Sequence, residues 1–177
     1  PGADMTHPLG TDMLGRDLLS RLMYGSRASL IVAFSAIIIG GLGGSILGII
    51  AGYSGRWVDS VIMRAGDATL AFPIILLAII FSVSLGPSLI NTVIALSIAV
   101  WARYARVIRG ETLRVKQEDY IALAKIAGCS RTRIMLRHIA PNVMNTLLVM
   151  LTLQVGWIIL VEASLSFLGA GVPPPTP

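Results

Sequence analysis

The sequence predicts an all-α protein, a bundle of helices that crosses a membrane several times. Fifty-five per cent of the 177 residues are hydrophobic, only 13% are charged, and the mean hydropathy is +0.80. Soluble domains average about 25% charged residues, so this chain carries too few to cover a water-facing surface. Three long stretches contain no Asp, Glu, Lys or Arg: residues 28–55, 68–102 and 139–161. Unbroken apolar runs of this length indicate spans.

Four spans are predicted from these stretches. A hydrocarbon core about 30 Å thick takes roughly 20 apolar residues of helix, so the first and third stretches each fit one crossing. The second is too long for one crossing, and Leu85-Gly86-Pro87-Ser88 interrupts it near its middle. Strands of a membrane barrel would alternate polar and apolar side chains, which these runs do not do. The predicted helical spans lie near residues 29–53, 61–84, 88–109 and 141–163.

The first span carries a glycine stripe, meaning Gly40, Gly44, Gly48 and Gly52. Residues four apart share one face of a helix. A stripe of small residues on that face lets the backbone of a second helix approach closely. The second helix belongs either to the same bundle or to a partner subunit, and the sequence leaves both alternatives open.

Charge predicts the orientation of the bundle. Residues 102–138 hold nine cations against three acids; the cations are Arg103, Arg106, Arg109, Arg114, Lys116, Lys125, Arg131, Arg133 and Arg137. An excess of Lys and Arg marks the cytoplasmic side. The external parts are then the short link 86–91, the C-terminal tail and a segment over 1–27. Nucleic-acid binding is the alternative for a basic segment, but the flanking spans favour orientation.

The segment 118–138 is a polar stretch between two spans and is predicted to be a cytoplasmic coupling segment. Its first half favours helix, with acids at the start and Gly128 suited to the end. Ser130 is then positioned to cap a second short helix over 131–138. Pro141 falls in the first turn of the next span, where proline costs least. Such an element, held between two spans, can transmit force from a cytoplasmic partner.

This segment resembles the cytoplasmic signature of the permease subunits of binding-protein-dependent ABC importers. That signature reads Glu-Ala-Ala, three residues, Gly, nine residues, and Ile-x-Leu-Pro. Here it falls on Ala122-Leu123-Ala124, Gly128 and His138-Ile139-Ala140-Pro141. The spacing fits, whereas the leading Glu, the middle Ala, and the Ile and Leu near the end are absent. Arg137-His138-Ile139-Ala140-Pro141-Asn142 resembles the dipeptide and oligopeptide branch.

Two further segments are similar to that branch. Residues 7–17, which read His-Pro-Leu-Gly-Thr-Asp and then Gly-Arg-Asp, resemble an external motif; residues 163–169 and 173–177 resemble the segment after the fifth span. The chain thus resembles the C-type member of a two-permease pair. The resemblance implies a type I importer fold and a single transmembrane domain over 1–177. It also implies that the first and last of six spans lie outside this chain, as part of a longer protein.

The resemblance implies a function and a set of partners. The chain is expected to be a permease subunit that imports di- or oligopeptides by alternating access, in the plasma or inner membrane of a bacterium or archaeon. Its expected partners are a second homologous permease, two ATP-binding subunits, an external solute-binding protein and the lipid bilayer, with no nucleic acid. It is expected to be no enzyme, with no catalytic residue, metal or cofactor of its own, because ATP and Mg bind to the partner subunits. The residues expected to couple to the ATPase are Tyr120, Ala122, Ala124, Gly128, Ser130, Arg133, His138 and Pro141.

Alternatives remain for the function. An ABC permease for nickel or another small solute has the same signature. A secondary transporter or channel is less favoured, since it would place ionisable groups near mid-span or a broken helix at a binding site. A membrane scaffold that transports nothing would need only the glycine stripe.

Three candidate sites carry alternatives of their own. Glu162 lies at the outer end of the last span, where a charge is costly and often functional; it either faces the substrate pathway or is structural. Asp67 is expected to pair with Arg64 or to lie at the membrane interface, and a role in the substrate pathway is the alternative. Residues 7–17 are expected to form an ordered external loop with turns at Gly10 and Gly15, and contact with the binding protein is the alternative.

Overall fold

The computed structural model describes residues 7–86 and 88–169, which form helices joined by short turns. In chain order these are α1 (Leu18–Ser54), α2 (Arg56–Leu70), α3 (Ile74–Leu85), α4 (Leu89–Val115), α5 (Asp119–Ile126), α6 (Arg131–Ile134), a π-helical turn (Met135–Ile139) and α7 (Ala140–Phe167). Within these ranges the only strand-like pairing is an isolated antiparallel bridge between Thr11 and Asp17. The predicted all-α class is confirmed.

Helix α1 begins and ends at polar caps. The Asp17 carboxylate accepts a hydrogen bond from the backbone N–H of Ser20 at 2.9 Å, which caps the N-terminus. The helix ends at Ser54 because Gly55 has φ +65°, outside the helical region. The Lys116 ammonium donates hydrogen bonds to two of the last carbonyl oxygens of α1, at 2.7 and 3.3 Å. A cation in this place satisfies orphan carbonyls and also suits the helix dipole.

The predicted span over 61–84 is not one straight helix. Helix α2 ends at Leu70, α3 begins at Ile74, and the two are bent by 90°. Pro73 explains the break, because its ring disfavours helical conformation in the preceding residue and it has no N–H to donate. The predicted interruption between the second and third spans is confirmed, since α3 ends at Leu85. Pro87 lies outside the described residues.

Among the described residues, two helices are long and apolar enough to cross a membrane, namely Leu18–Ser54 and the continuous path Arg131–Phe167. The bent pair α2–α3 makes a third if the two count as one span. Helix α4 has 27 residues, but arginines in its second half lower its hydropathy. The expectation of about four spans therefore rests on two clear helices, one bent pair, and the length of α4.

Helix α1 packs along α4 through the glycine stripe. A Cβ placed on Gly40 would lie 2.6 Å from a methyl carbon of Val100, and one on Gly48 would lie 2.6 Å from the carbonyl oxygen of Ala105. The other two glycines of the stripe also meet α4 at distances that leave no room for a Cβ. Of the two alternatives left by the sequence, the structure thus places the stripe inside the bundle.

The path from α6 to α7 differs from the prediction. In place of a separate short helix over 131–138, the four-residue α6 runs through the π-helical turn directly into α7. Pro141 lies in the first turn of α7, as predicted. Proline cannot bond to the carbonyl four residues back, and its ring crowds that carbonyl. The backbone widens just before it, so that the N–H of Ala140 bonds to the carbonyl of Met135, five residues back.

Candidate coupling site

Helix α5 carries the first half of the predicted coupling segment, including Tyr120, Ala122 and Ala124. Its one buried residue is Ile121, which joins the core of the bundle. Asp119 lies in the first turn and Lys125 in the last, so both charges complement the helix dipole. A helix of eight residues is marginal alone, so α5 depends on the anchor at Ile121 and on its C-terminal cap.

The turn at Gly128 is a complete C-terminal cap. The N–H of Gly128 bonds to the carbonyl of Lys125, and the N–H of Cys129 bonds to the carbonyl of Ala124, both at 3.0 Å. This pair of bonds is the Schellman motif, which requires a left-handed residue after the helix. Gly128 supplies it with φ +77°, and a Cβ there would meet no atom within 4 Å. The constraint at this position is therefore conformational and not steric.

The outer face of α5 is apolar. Leu123 is 64% exposed and Ile126 is 84% exposed, on the side of the helix opposite Ile121. Leu136, from the π-helical turn, is also largely exposed. None of these three was among the residues predicted to couple to the ATPase, although the spacing of three between Leu123 and Ile126 was a usable signal. Exposed apolar side chains on a polar, membrane-flanking segment mark a contact surface.

The second half of the coupling segment is fixed to the first. The hydroxyl of Ser130 accepts a hydrogen bond from the backbone N–H of Arg133 at 3.3 Å and so caps α6 as predicted. The rings of Tyr120 and His138 lie 6.4 Å apart between centroids, which brings one end of α5 against the π-helical turn. Arg133 and Pro141 are exposed.

A cavity of about 420 Å³ lies between the C-terminal end of α1 and the coupling segment. Its lining residues are Tyr53, Ser54, Lys116, Lys125, Cys129, Arg131 and Ile134. Three cations and no acid line it, so its potential is positive. In the described part of the chain, no cluster of His, Cys, Asp or Glu could hold a metal ion.

Three arginines, Arg103, Arg106 and Arg109, recur at intervals of three residues along α4 and form an arginine row. The Arg109 guanidinium forms an ion pair with Asp59 of α2 and donates two hydrogen bonds of 2.5 Å to its carboxylate, and the pair is partly buried. Arg106 pairs with Asp67, so the structure corrects the expectation that Asp67 pairs with Arg64. These ion pairs tie α2 to α4, and sequence periodicity gave no sign of either pairing.

The third arginine of this row, Arg103, has no ion pair with any described residue. Its guanidinium carbon lies 5.3 Å from the centre of the Trp157 ring of α7. Gly40 and Gly44, in the middle of the charge-free stretch 28–55, pack against residues 97–104 of α4. Arg103 therefore lies level with the middle of the charge-free stretch of α1, and its side chain is exposed on the surface of the described chain.

Glu162 is buried between α7 and α1. It is 4% exposed, and its carboxylate accepts hydrogen bonds from the hydroxyls of Ser29 and Ser166, both at 2.8 Å. Two donors from the protein offset part of the cost of burying the carboxylate. This placement favours the structural alternative for Glu162 over a role in contacting substrate.

The loop before α1 is ordered, as predicted, and the structure shows that Asp12 and Asp17 hold it. The Asp12 carboxylate accepts hydrogen bonds from the backbone N–H of Arg16, that of Leu14, and the side chains of Arg16 and Arg21. These bonds, the one from the Arg16 N–H foremost, lower the pKa of Asp12 to about 2. Hydrogen bonds from Ser20 likewise lower the pKa of Asp17. Turns at Gly10 and Gly15, with φ of +78° and +74°, are confirmed.

The chain matches a known family over most of its length. The model of the family described as binding-protein-dependent transport system inner membrane component covers residues 44–177. The chain is 43% identical, over 176 residues, to the dipeptide transport system permease protein of Alkalihalophilus pseudofirmus. It is 44% identical over 169 residues to a di/tripeptide transport system permease protein of Pseudomonas aeruginosa. It is 41% identical over 176 residues to a glutathione transport system permease protein of Pectobacterium atrosepticum.

The alignments cover nearly all of this chain but only part of each relative. The alignments take in 96–99% of this chain but 56–58% of each relative, so the chain spans somewhat more than half of their length. The signature at Ala122, Ala124, Gly128 and Pro141 and the capped turn lie within the part that the family model matches. The external loop over 7–17 precedes that part and is covered by the relatives alone.

Proposed function

This chain belongs to the family of binding-protein-dependent transport system inner membrane components, and from that we propose that it is a permease subunit of an ATP-driven importer of peptides. The relatives named above are called transport proteins for dipeptides, di- and tripeptides, and glutathione. All three substrate classes carry carboxylates and amide groups. The chain itself lies in the inner membrane as a multi-pass subunit, with two to three apolar helical units to cross it.

The observation that carries this proposal is the exposed apolar face of α5 on a rigidly capped helix. Leu123 and Ile126 project from a polar segment that flanks two spans. Fully burying a large apolar side chain contributes roughly 1.5–3 kcal/mol, so covering this face against a partner is favourable. The partner is the ATP-binding subunit, which offers a groove for α5. The positive cavity beside it suits an acidic rim on that subunit.

The geometry supports a way to pass motion into the membrane. The second half of the coupling segment is continuous with α7, because α6 and the π-helical turn run into it without a loop. The first half is held to the second by the Gly128 turn and by the ring contact of Tyr120 with His138. A displacement of α5 by the ATPase therefore moves α7 as a rigid lever. Rigid-body motion of this kind drives alternation between two states.

The division of labour among subunits follows from the same proposal. ATP and Mg bind to two partner subunits, which carry out hydrolysis, and this chain contributes no catalytic group. A second permease completes the membrane pathway, and the exposed surface of α7 is available for contact with it. A solute-binding protein delivers the peptide from outside. The ordered loop over 7–17 is the candidate contact for it, with Met13 fully exposed at its tip.

The Gly128→Val substitution tests the coupling role. A β-branched residue at φ +77° is strained by about 1–2 kcal/mol, while the open space around it excludes a clash. The expected result is normal membrane insertion and a fall of about five- to thirtyfold in ATP hydrolysis stimulated by loaded binding protein. The assay uses the complete importer in proteoliposomes. Gly25→Val is the matched control, because Gly25 also has no neighbour within 4 Å but lies in helical conformation in α1.

A second substitution separates docking from folding. Ile126→Ser removes an exposed apolar side chain, so it leaves the bundle intact while weakening the contact with the ATPase. The expected result is unchanged permease in the membrane with less ATPase co-purified. Full stimulation in Gly128→Val, together with full ATPase recovery in Ile126→Ser, would reject the coupling role.

A further inference from the structure

The arginine row of α4 is incompletely neutralised. Asp59 and Asp67 of α2 pair with Arg109 and Arg106, so two of the three cations have a carboxylate from the chain itself. Arg103 has none among the described residues, and it lies nearer the charge-free N-terminal half of α4 than the other two do. A cation toward the apolar half of a span is the costliest of the three, and yet it is the one without a counter-ion among the described residues.

The depth of Arg103 follows from packing and not from hydropathy. The glycines at the middle of α1 contact residues 97–104 of α4. The side chain of a helical residue leans toward the N-terminus of its helix. For α4 that direction leads away from the Arg106 and Arg109 ion pairs and toward Trp157, where the guanidinium is found. It therefore does not reach back toward the cytoplasmic surface.

A second unsatisfied donor lies on α7. The side-chain nitrogen of Gln154 is buried and has no hydrogen-bond partner. Gln154 precedes Trp157 by three residues, so the two lie about one turn apart on α7. Arg103 and Gln154 both offer N–H groups, and the described residues supply neither with an acceptor. The shared chemistry of their missing partner is an oxygen acceptor, which for the guanidinium is an anionic one.

We propose that Arg103, stacked on the Trp157 ring, binds the carboxylate of the transported peptide partway through the membrane, with Gln154 as a neighbouring donor. This proposal rests on the proposed function, because it takes a peptide as the substrate. The planar guanidinium binds a carboxylate through two parallel N–H···O bonds. The aromatic face holds the guanidinium in place without neutralising it. Arg103 thus serves as a stepping site and a specificity determinant for free C-terminal carboxylates.

The first test measures uptake by the complete importer in proteoliposomes. Two peptides are compared, one with a free C-terminal carboxylate and one with a C-terminal amide. Each variant is scored as its uptake relative to wild type for the same peptide, which cancels the preference of the binding protein. Arg103→Gln is expected to lower the relative uptake of the free-carboxylate peptide about tenfold or more, and that of the amide much less. Arg103→Lys keeps the charge but lacks the planar guanidinium, so its relative uptake of the free-carboxylate peptide should lie between those of wild type and Arg103→Gln.

A matched control distinguishes this effect from a general loss of positive charge. Arg64→Gln also removes an exposed arginine, on α2, which has no ion pair with any described residue. It should lower the uptake of both peptides alike or not at all. An equal loss for both peptides in Arg103→Gln, with less assembled importer, would overturn the proposal and assign Arg103 to an ion pair with another span.

The second test does not depend on transport. Arg103→Cys in a Cys129→Ser background is treated with a small hydrophilic thiol reagent, with and without each peptide. Labelling that the free-carboxylate peptide slows, and the amide does not, is the expected result. No labelling places Arg103 against lipid or protein and overturns the inference, whatever the importer transports. Labelling that neither peptide slows overturns it as well. If wild-type importer takes up neither peptide, the proposed function fails on separate grounds.

Discussion

Replacing Gly44 by Ala should force α1 away from α4. A Cβ at this position would overlap the carbonyl oxygen of Trp101 and lie 3.0 Å from the Cβ of Tyr104. The Trp101 carbonyl belongs to the backbone of α4, so it can move only if the two helices separate. Overpacking of this kind costs about 1–3 kcal/mol.

The neighbouring glycines supply controls that isolate this effect. A Cβ on Gly43 meets nothing within 4 Å, and one on Gly41 first meets a methyl carbon of Leu151 at 2.8 Å, which is the flexible end of a side chain. All three substitutions gain the same helix propensity, about 1 kcal/mol. That gain cancels when the variants are compared, so Gly44→Ala should be less stable than Gly43→Ala by about 1–3 kcal/mol, with Gly41→Ala between them.

The assay is thermal stability of the tagged permease within the detergent-solubilised importer. The measured quantity is the temperature at which half of the permease leaves the soluble fraction. A destabilisation of 1 kcal/mol lowers a midpoint by about 2–4 °C for a domain of this size. The midpoint temperature of Gly44→Ala should therefore lie several degrees below that of Gly43→Ala. Equal midpoints for these two variants would refute the close approach of α1 and α4 at the glycine stripe.

Three further predictions follow from the charged groups. Asp59→Asn should destabilise the permease by about 2 kcal/mol in the same thermal assay, because it removes one side of a partly buried ion pair with two contacts. Asp67→Asn, whose ion pair is exposed, should destabilise it by less than about 1 kcal/mol. A larger destabilisation by Asp67→Asn than by Asp59→Asn would contradict these pairings. The loop held by Asp12 should keep the full contribution of this carboxylate above pH 3.8 and lose it as the pH falls through about 2, since the folded pKa of Asp12 lies below the ordinary value. Hydrogen exchange of the loop amides should show this loss, and Asp12→Asn should remove the part of the pH dependence that Asp12 causes, leaving the part due to Asp17. Glu162→Gln should lower uptake of free and N-acetylated peptides alike, because the carboxylate is buried against two serines; a selective loss for the free amine would instead support a role in the pathway.

The sequence was sufficient where one physical rule dominates. Continuous apolar runs predicted α1 and α7, and spacing of four residues predicted that Gly40 to Gly52 form a packing face. Gly128 as a helix end was predictable because few residues other than glycine adopt a positive φ at low cost. In each of these cases the signal is local, since the residues that determine the structure lie within one or two turns of one another.

Prediction failed where two rules compete or where the partner is distant in sequence. At Pro73 the hydrophobic run argued for one span while proline argued for a break, and the structure shows that proline prevails. At Pro141, by contrast, proline does not break the helix. The π-helical turn just before it accommodates the proline, so that α6 continues into α7 without a loop. The ion pair of Arg109 with Asp59 joins positions fifty residues apart in the chain, and no periodicity records such a pairing.

Helix α4 shows why hydropathy alone undervalues a helix of this kind. Its arginines lower its hydropathy, yet two of them are neutralised by α2, so the isolated helix is more polar than the helix in its bundle. The charges of the two acids of α2 are in turn neutralised by the arginines of α4. Each helix is a poor span by itself and a better one beside the other, so their charges must be weighed as pairs. Counted in this way, Arg103 is the arginine of the row that has no carboxylate partner among the described residues, and an unpaired charge in a membrane span is costly.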